Sequence, residues 1–567
     1  MTEGILTRIL QHDPSLHGYG LVIFDEFHER SLQADLGLAF TLQTQSLFRE
    51  DLRLLIMSAT LDTRILSQQL PQAPVLTCKG KMFPVETRYL GTFDKKEFAR
   101  QVANTIDRLL QTEHGNILVF LPGAGEIQRV EEHLSAFSLP QQTLITPLYG
   151  NLPPQTQDQA IESPPATWRK VVLSTNIAET SLTIEGIRIV LDTGLMRVSR
   201  FDARSGMSRL TTIQVSRQSA EQRRGRAGRL EAGLCLRCWP ENLQRTLTAR
   251  TSPEILDADL TSLALELAVW GIHDPAELMW LDPPPAGAFN QACQLLQSLG
   301  ALDREGRITT HGMDMANLPI HPRLGHMVLQ GTIMEIGMLA CDLAAMLNEP
   351  NLFKRTPIEK NRDLRSRIEE LYRQATRPTS RGMIQQVRNA SEQWRHMLGI
   401  TTRPGNRTCQ IDHIGVLLAF AYPDRIAQRQ TDGSRQYKLA NGRMARFHHP
   451  DPLEHEAYLV IADLDGAQPV SRIYSATPIH QHDLQTFFPD HIQTNEHVEW
   501  DEKTESVLSN REHRLGKILL KKLVFLTPTH TSYSQHCCME SGSLVFPPCP
   551  GPRINAYGKP GYSFFAA

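Results

Sequence analysis

The first 240 residues alternate short apolar runs with longer amphipathic stretches. Several runs are continuous in Val, Ile and Leu, which is typical of parallel strands covered on both faces. Polar residues follow several runs directly, and ligand sites of open α/β sheets lie at the carboxyl ends of strands. The pattern therefore predicts a parallel α/β fold with a site at one sheet edge. The predicted strands are Leu21–Phe24, Leu54–Met57, Ile117–Leu121, Val171–Leu173, Ile189–Leu191 and Leu234–Cys238.

A different pattern begins near Thr251. Residues 255–350 are rich in Leu and Ala at helical spacing, and Leu295–Thr309 has the pattern of a helix, a turn and a short hairpin. This order predicts a winged-helix unit followed by a helical bundle. Short β-rich runs between Ile414 and Ile473 predict a small barrel. The Ser-, Pro-, Gly- and Cys-rich sequence after Leu526 predicts an unfolded or out-of-frame tail.

Charge and cysteine content narrow the function classes. The 567 residues carry a formal net charge of −2, so nucleic acid would have to be bound by a local groove rather than by a basic coat. The longest apolar run, Ile414–Tyr422, is too short to cross a membrane, and no signal-peptide core follows Met1. Nine scattered cysteines are typical of reduced thiols. We expect a cytoplasmic protein without a membrane-bound part.

The first candidate site is Asp25-Glu26-Phe27-His28, directly after a predicted strand. Two adjacent carboxylates leaving a buried strand are costly unless they are compensated, typically by a metal ion. In nucleotide hydrolases one such carboxylate holds magnesium and its neighbour positions the attacking water. The alternative is that both acids cap the next helix. The tetrapeptide alone leaves both interpretations open.

The second candidate site is Gln222–Arg229, with the sequence QRRGRAGR. From Arg197 to Arg229 there are nine arginines and two acidic residues, a local charge of +7. Arginines spaced along one helix face can reach neighbouring phosphate oxygens as planar donors. The alternative is a solvated basic helix, although the interleaved Gly and Ala permit close backbone approach.

Two further motifs carry less information on their own. The run Ser174–Glu185 places hydroxyl and amide groups at a strand end, which suits phosphate and sugar contacts but also a capped turn. Cys235 and Cys238 have C-x-x-C spacing, yet residues three apart in a strand point to opposite faces. We therefore predict structural cysteines rather than a metal site.

Together the motifs resemble the DEAH-box helicases of superfamily 2. The resemblance lies in four ordered motifs, and Thr2-Glu3-Gly4 resembles the nucleic-acid-contacting motif that precedes them. The segments LPIHPRLGHM, AYPDRIAQR and LANGRMARF, with Phe27 in place of Ala, resemble the bacterial HrpB-type subfamily. The four motifs are Asp25–His28, Ser58–Thr60, Ser174–Ile184 and Gln222–Arg229.

The resemblance implies a role for each matched residue. Magnesium and the hydrolytic water would be engaged by Asp25 and Glu26, while His28 and Gln222 would link two RecA-like lobes. The γ-phosphate would be contacted by Arg226 and Arg229, and hydrolysis would be coupled to lobe movement by Ser58 and Thr60. The nucleotide side would include Ser181 and Glu185, and the nucleic-acid backbone would be touched by Thr2 and Thr175. The strand-separating hairpin would be Leu195–Ser216.

The resemblance also implies an activity and a domain order. The expected activity is ATP-dependent unwinding of single-stranded or partly duplex RNA, with ATP and magnesium as cofactors and little base specificity. No residue recognisably reads the ribose 2′-hydroxyl, so DNA stays open as a substrate, and protein partners are not predicted. The expected domains are a partial first lobe (1–75), the second lobe (76–245), a winged helix (246–320), a helical bundle (321–410), a β-rich region (411–526) and the tail (527–567).

One departure from the family pattern concerns the phosphate cradle. A first lobe needs a P-loop, G-x-x-x-x-G-K-S/T, and none of the three Gly-Lys pairs of this sequence belongs to one. We therefore expect a helicase truncated at both ends, whose residues 1–75 leave a strand edge and apolar faces uncovered. The alternative hypothesis is a non-catalytic nucleic-acid-binding remnant.

Overall fold

The computed structural model of the chain forms two compact units, residues 1–421 and 422–567. No helix among the described residues is both long enough and apolar enough to cross a bilayer. The structure describes residues 2–59, 70, 73–78, 80, 83–150, 152–165, 167–179, 182, 184–202, 206–349, 361–375, 383–400, 407–430, 435–465, 469–501 and 506–525.

The centre of the first unit is a parallel six-stranded sheet with the order β3-β10-β7-β4-β6-β5. Both faces are covered by apolar side chains, which is why the central strands are continuous in Val, Ile and Leu. This sheet confirms the predicted parallel α/β class. Its strands are β3 (Val85–Tyr89), β4 (Asn116–Phe120), β5 (Thr143–Leu148), β6 (Arg169–Ser174), β7 (Ile187–Asp192) and β10 (Gly233–Arg237).

Helices cover this sheet, and one hairpin leaves it. The hairpin strands β8 (Leu195–Asp202) and β9 (Met207–Gln214) pair antiparallel, at the place where the strand-separating hairpin is expected. The helices of this lobe are α3 (Phe98–Thr112), α4 (Ala124–Ser135), α5 (Pro154–Ile161), α6 (Arg217–Gly225) and α7 (Glu241–Thr246).

The segment before this lobe, residues 2–59, has only two described strands, β1 (Leu21–Phe24) and β2 (Arg53–Ile56), which pair in parallel. Helices α1 (Glu3–His12) and α2 (Leu32–Leu47) cover one face of the pair. The other face is open: the side chains of Leu21 and Ile23 are 48% and 52% exposed.

The covered face of this first segment shares its core with residues 254–317. These residues lie within 246–320, where a winged helix is predicted, and they are called the winged-helix unit below. The Phe40 ring of α2 stacks on Trp270 with centroids 4.4 Å apart and planes 13° apart. The bridge between Leu302 and Ile308 forms the short hairpin expected from the sequence. The helices of this unit are α8 (Glu254–Asp257), α9 (Thr261–Trp270), α10 (Ala286–Ser298) and α11 (Thr310–Asn317).

The helical bundle follows and ends the first unit. The carboxylate of Asp342 joins three of its helices, because it accepts hydrogen bonds from Ser391, Arg395 and the Tyr372 hydroxyl. Buried carboxylates need such partners. The bundle helices are α12 (Pro322–Ile333), α13 (Gly337–Asn348), α14 (Leu364–Ala375), α15 (Met383–Met397) and α16 (Ile414–Ala421).

The second unit contains the predicted small barrel, a closed sheet in the order β11-β12-β13-β15-β14. The start predicted for this β-rich region is wrong, because Ile414–Ala421 forms helix α16. A separate three-stranded sheet, β16-β17-β18, follows helix α17 (Gln481–Phe487). The predicted tail after Leu526 lies outside the described residues. The strands are β11 (Ile426–Arg429), β12 (Gln436–Leu439), β13 (Met444–Arg446), β14 (Tyr458–Leu464), β15 (Val470–Pro478), β16 (Ile492–Asp501), β17 (Ser506–Leu515) and β18 (Ile518–Phe525).

Candidate functional site

The Asp25–Glu26 pair lies in a tight turn at the carboxyl end of β1. Asp25 Oδ1 accepts a hydrogen bond of 2.8 Å from the backbone N–H of Glu26, whose φ of 48° is left-handed. A non-glycine residue in that region persists only where its surroundings fix it, and such residues cluster at functional sites. Helix α2 is capped by Ser31 instead, which accepts from Ala34 at 3.1 Å. Glu26 occupies the N-cap position of the nearer 3₁₀ turn, Phe27–Glu29, but its side chain makes no capping hydrogen bond there.

His28 lies buried beside the turn. Its side chain is 4% exposed, and Nδ1 lies 3.3 Å from a carboxylate oxygen of Glu26. Neither ring nitrogen makes a hydrogen bond within the described part of the chain. Buried polar atoms normally have partners, so this imidazole is an exception within the described part of the chain. Gln222, the partner expected from the family, is half-buried on α6, and no hydrogen bond joins it to His28 among the described residues.

Arg223 is the buried anchor of the arginine motif. Its guanidinium is 1% exposed and lies 2.9 Å from both Glu179 and Asp192, with Phe120 stacked beneath at 4.7 Å. Burial opposes its charge, but the two carboxylates outweigh burial and raise the pKa of Arg223. Glu179 follows β6 and Asp192 ends β7, so Arg223 fixes α6 against two strand ends.

Arg226 is held at the mouth of the same region. Its guanidinium donates to the carbonyl oxygens of Glu179, at 3.0 Å, and Leu182, at 2.7 Å. Burial and then the nearby charge of Arg229 lower the pKa of Arg226 to about 10, against the opposing attraction of Glu26 and Glu179. A nearby anion would relieve that cost, because it favours the charged guanidinium. The charge of Glu26, in the Asp25–Glu26 turn, therefore acts on an arginine of this motif.

Both arginines line a small depression whose other walls are apolar. The described residues contain no cluster of three or more His, Cys, Asp or Glu side chains. This does not conflict with magnesium, which is often held by one or two carboxylates plus water and phosphate. The lining residues are Leu118, Ala178, Leu182, Ile184, Ile187, Arg226 and Arg229.

The remaining predicted site residues are dispersed. Thr175 is half-buried after β6, and its N–H donates to the Leu148 carbonyl at 3.1 Å. Glu185 is exposed and accepts from the Ser163 hydroxyl at 2.7 Å. Thr2 is exposed at the start of α1, and Ser58 follows β2. The predictions for Thr60 and Ser181 lie outside the described residues.

The sequence reasoning assigned no role to Arg223 or Arg30, which the structure places at the centre of ion-pair networks. For Arg223 a signal existed, because Asp192 ends an apolar run and a buried carboxylate there requires a cation. For Arg30 the partner Asp282 is 252 residues away, and no local pattern reveals such a pair. Cys235 and Cys238 are buried free thiols, as a structural role predicts.

Known proteins resemble this chain in both sequence and fold. The family model for the helicase conserved C-terminal domain matches residues 101–231. This range contains strands β4 to β7 of the six-stranded sheet but neither β3 nor β10. HrpB of Escherichia coli K12, named an ATP-dependent RNA helicase, is 42% identical over 537 residues, which are 94% of this chain and 63% of HrpB. A crystal structure of E. coli HrpB matches with a TM-score of 0.77 and 41% identity, over 94% of this chain and 63% of that one.

A more distant relative gives the same class. The Schizosaccharomyces pombe pre-mRNA-splicing factor prp22, named an ATP-dependent RNA helicase, is 37% identical over 64% of this chain and 31% of its own length. The fold and the matched domain make the sheet lobe a helicase-type domain. Over 94% of its own length the chain is similar to HrpB, and it spans 63% of the length of that relative.

Proposed function

We propose that the chain supplies the catalytic carboxylates, the arginine motif and the RNA-binding surface of an ATP-dependent RNA helicase. The observation that carries the proposal is the depression that Arg226 and Arg229 line together, where the charge of Glu26 also acts on Arg226. One side of such a site is suited to a metal-bound phosphate, and the other to phosphate oxygens.

The carboxylate side fits magnesium. Asp25 keeps one oxygen on the backbone N–H of Glu26, which leaves its other oxygen available toward an ion or its bound water. Magnesium, when bound, would neutralise phosphate charge and order water. The half-exposed carboxylate of Glu26 then has the position of a water-orienting base, and the buried imidazole of His28 lies against it.

The arginine side fits the nucleotide. Arg226 and Arg229 repel one another, so an arriving phosphate would be bound by two cations that are already in position. Arg223 is not available for this role, since both of its carboxylate partners are buried with it. We assign the phosphate contacts to Arg226 and Arg229, and we assign to Arg223 the task of holding their helix.

The proposed nucleic-acid contacts are spread over several segments of the chain. The proposed contacts to the nucleic-acid backbone are Thr2, Thr175 and the basic β8–β9 hairpin. We also propose that Ser58 and Thr60 couple hydrolysis to lobe movement. Ser181 and Glu185 are proposed to lie on the nucleotide side. Single-stranded or partly duplex RNA is the proposed substrate, because HrpB and prp22 are both named RNA helicases. The described free thiols support a cytoplasmic location.

The test is RNA-stimulated ATP hydrolysis by the 567-residue chain. We expect Glu26→Gln to abolish turnover and Arg226→Ala to reduce it by about a hundredfold, as for loss of one transition-state donor. The matched control is Arg100→Ala, which removes an exposed arginine of the same lobe that lies outside the motif, 2.6 Å from Glu97. It should leave turnover within about twofold.

The opposite result supports the alternative that the sequence raised. RNA binding without any turnover in the parent chain would identify a non-catalytic nucleic-acid-binding protein, in agreement with the missing P-loop motif. Equal affinity and equal stimulation by matched RNA and DNA strands would refute the RNA assignment. The RNA and DNA affinities must be measured at the same salt concentration, since phosphate contacts make affinity salt-dependent.

A further inference from the structure

We propose that Arg30 is a positioning residue that ties the Asp25–Glu26 turn to the winged-helix unit. Through this tie, the placement of Glu26 depends on that unit. The inference rests on the function proposed above for Glu26, and it assigns a role to an arginine outside the four motifs.

The turn itself requires external support. Glu26 and Arg30 have φ values of 48° and 51°, so two left-handed residues without glycine bracket a single 3₁₀ turn, Phe27–Glu29. Side chains with a Cβ rarely adopt this conformation. It persists where neighbouring structure fixes it, and the contacts of Arg30 are the best candidates for that structure.

The guanidinium of Arg30 joins two segments that are distant in sequence. Its Nε and one Nη bind the two oxygens of Asp35 at 2.9 and 3.2 Å, and the same Nη lies 2.8 Å from Asp282. Asp35 is on α2, next to the turn, whereas Asp282 belongs to the winged-helix unit. The planar fork of arginine makes this double contact possible, and the point charge of lysine would not reproduce it.

The backbone makes a second connection at the same place. The Arg30 carbonyl accepts from the N–H of Glu254 at 3.1 Å, and the Glu254 carboxylate accepts from the N–H of Leu32 at 2.8 Å. The winged-helix unit therefore holds the chain on both sides of Ser31. On the opposite side, the N–H of Phe27 donates to the Met57 carbonyl at 3.0 Å.

The tie can loosen without unfolding the protein. Asp35 is 4% exposed and remains paired within its own segment, but Asp282 is 39% exposed. The Arg30–Asp282 contact is thus the weaker half of the network, because water competes for an exposed ion pair. Displacement of the winged-helix unit would break this contact first and would release the turn that carries Glu26.

Hydrogen exchange of the full chain tests the proposal directly. In Asp282→Asn we expect the amides of residues 26–32 to exchange about threefold faster, and in Arg30→Gln at least tenfold faster, because the latter also leaves buried Asp35 unpaired. Asp282→Glu, which keeps the carboxylate, should restore protection. The matched control is Arg307→Gln, which breaks the exposed 2.9 Å pair with Asp303 in the same unit.

Two exchange results would overturn the proposal. One is unchanged exchange of residues 26–32 in both variants. The other is a uniform increase throughout residues 2–59 and 254–317, which would make the pair a general structural contact. Neither result requires turnover, so the inference is decided even if the parent chain does not hydrolyse ATP and the proposed function fails.

Turnover adds a second readout where the parent chain is active. Asp282→Asn should then lower kcat several-fold and leave KM for ATP unchanged, since the substitution displaces Glu26 without touching the nucleotide contacts. An unchanged kcat despite faster exchange would show that the turn is held by Arg30 but that its placement does not matter for hydrolysis, which also overturns the positioning role.

Discussion

Both parallel sheets of the first unit contain strands that are continuous apolar runs, but the two sheets differ in how many of their faces are covered. In the six-stranded sheet, Val171, Val172 and Leu173 are all fully buried, because apolar side chains cover both faces. In the two-stranded sheet, Val22 and Phe24 are buried whereas Leu21 and Ile23 are about half exposed. A continuous apolar run therefore predicts a parallel strand, but it does not show that both faces of that strand are covered.

The same difference changes what stabilises each region. The six-stranded sheet contains its own core and a buried ion-pair centre at Arg223. The two-stranded sheet shares its core with the winged-helix unit, through contacts such as Phe40 on Trp270. Substitutions at these two centres should therefore have separate and distinguishable effects.

The largest expected effect is at Arg223. Arg223→Met leaves Asp192, which is 0% exposed, and Glu179 without their cation, and we expect a loss of about 4 kcal/mol in the free energy of unfolding. Urea unfolding measures it. Arg224→Ala, in the same helix, should cost less than about 1 kcal/mol because its pair with Glu221 is partly exposed. Equal costs for the two variants would contradict the anchor role.

The next effect concerns the shared core. Phe40 is 0% exposed, and Phe40→Ala should cost about 3 kcal/mol through the cavity it leaves against Trp270. Limited proteolysis should then cleave residues 2–59 before the six-stranded sheet. Phe48→Ala is the matched control, since Phe48 is 57% exposed and its loss should stay within about 0.5 kcal/mol. Simultaneous loss of both regions would mean that they unfold together.

A smaller, pH-dependent effect is expected inside the winged-helix unit. Burial favours the neutral form of Asp259, but hydrogen bonds from His321 and Thr261 outweigh it and lower the pKa of Asp259 from 3.8 to about 2. A depressed folded-state pKa stabilises the fold above the unfolded value and is lost as the pH falls through the folded value. Asp259→Asn should therefore cost about 2 kcal/mol at pH 5.5 and progressively less as the pH falls from 4 toward 2.

The measurement is thermal unfolding of both proteins between pH 5.5 and pH 3. A difference in stability that stays constant over this range would show that the Asp259 carboxylate titrates alike in the folded and unfolded chains. Asp259 lies outside the six-stranded sheet, so the stability of that sheet should not change with the substitution and serves as the internal reference.

Within the six-stranded sheet, the two strands that the sequence did not predict are the edges, β3 and β5. In β3 the charged side chains of Glu86 and Arg88 alternate with partly buried ones, and β5 contains Pro147. Edge strands tolerate charge and proline because one side has no ladder to complete. The four central strands were predicted to within a few residues, because burial on both faces requires continuous apolar sequence.

The candidate site was predictable where it depends on local order. Asp25 and Glu26 directly follow a strand, and the arginine motif spans the end of α6 and the 3₁₀ turn Arg226–Gly228, so the sequence order located both. The different roles of the individual arginines could not be predicted from the sequence. Only the fold shows that Arg223 is neutralised by two buried carboxylates while Arg226 faces another cation.

The smallest expected effect tests the open face of the first sheet directly. Ile23→Thr changes a side chain that is 52% exposed, and the free energy of unfolding should shift by no more than about 0.5 kcal/mol. Val119→Thr, in the covered sheet, buries a hydroxyl at a fully buried position and should cost about 2 kcal/mol. Urea unfolding compares the two. A cost at Ile23 equal to that at Val119 would mean that another part of the protein covers this face in solution. The two sheets would then not differ in how many of their faces are covered.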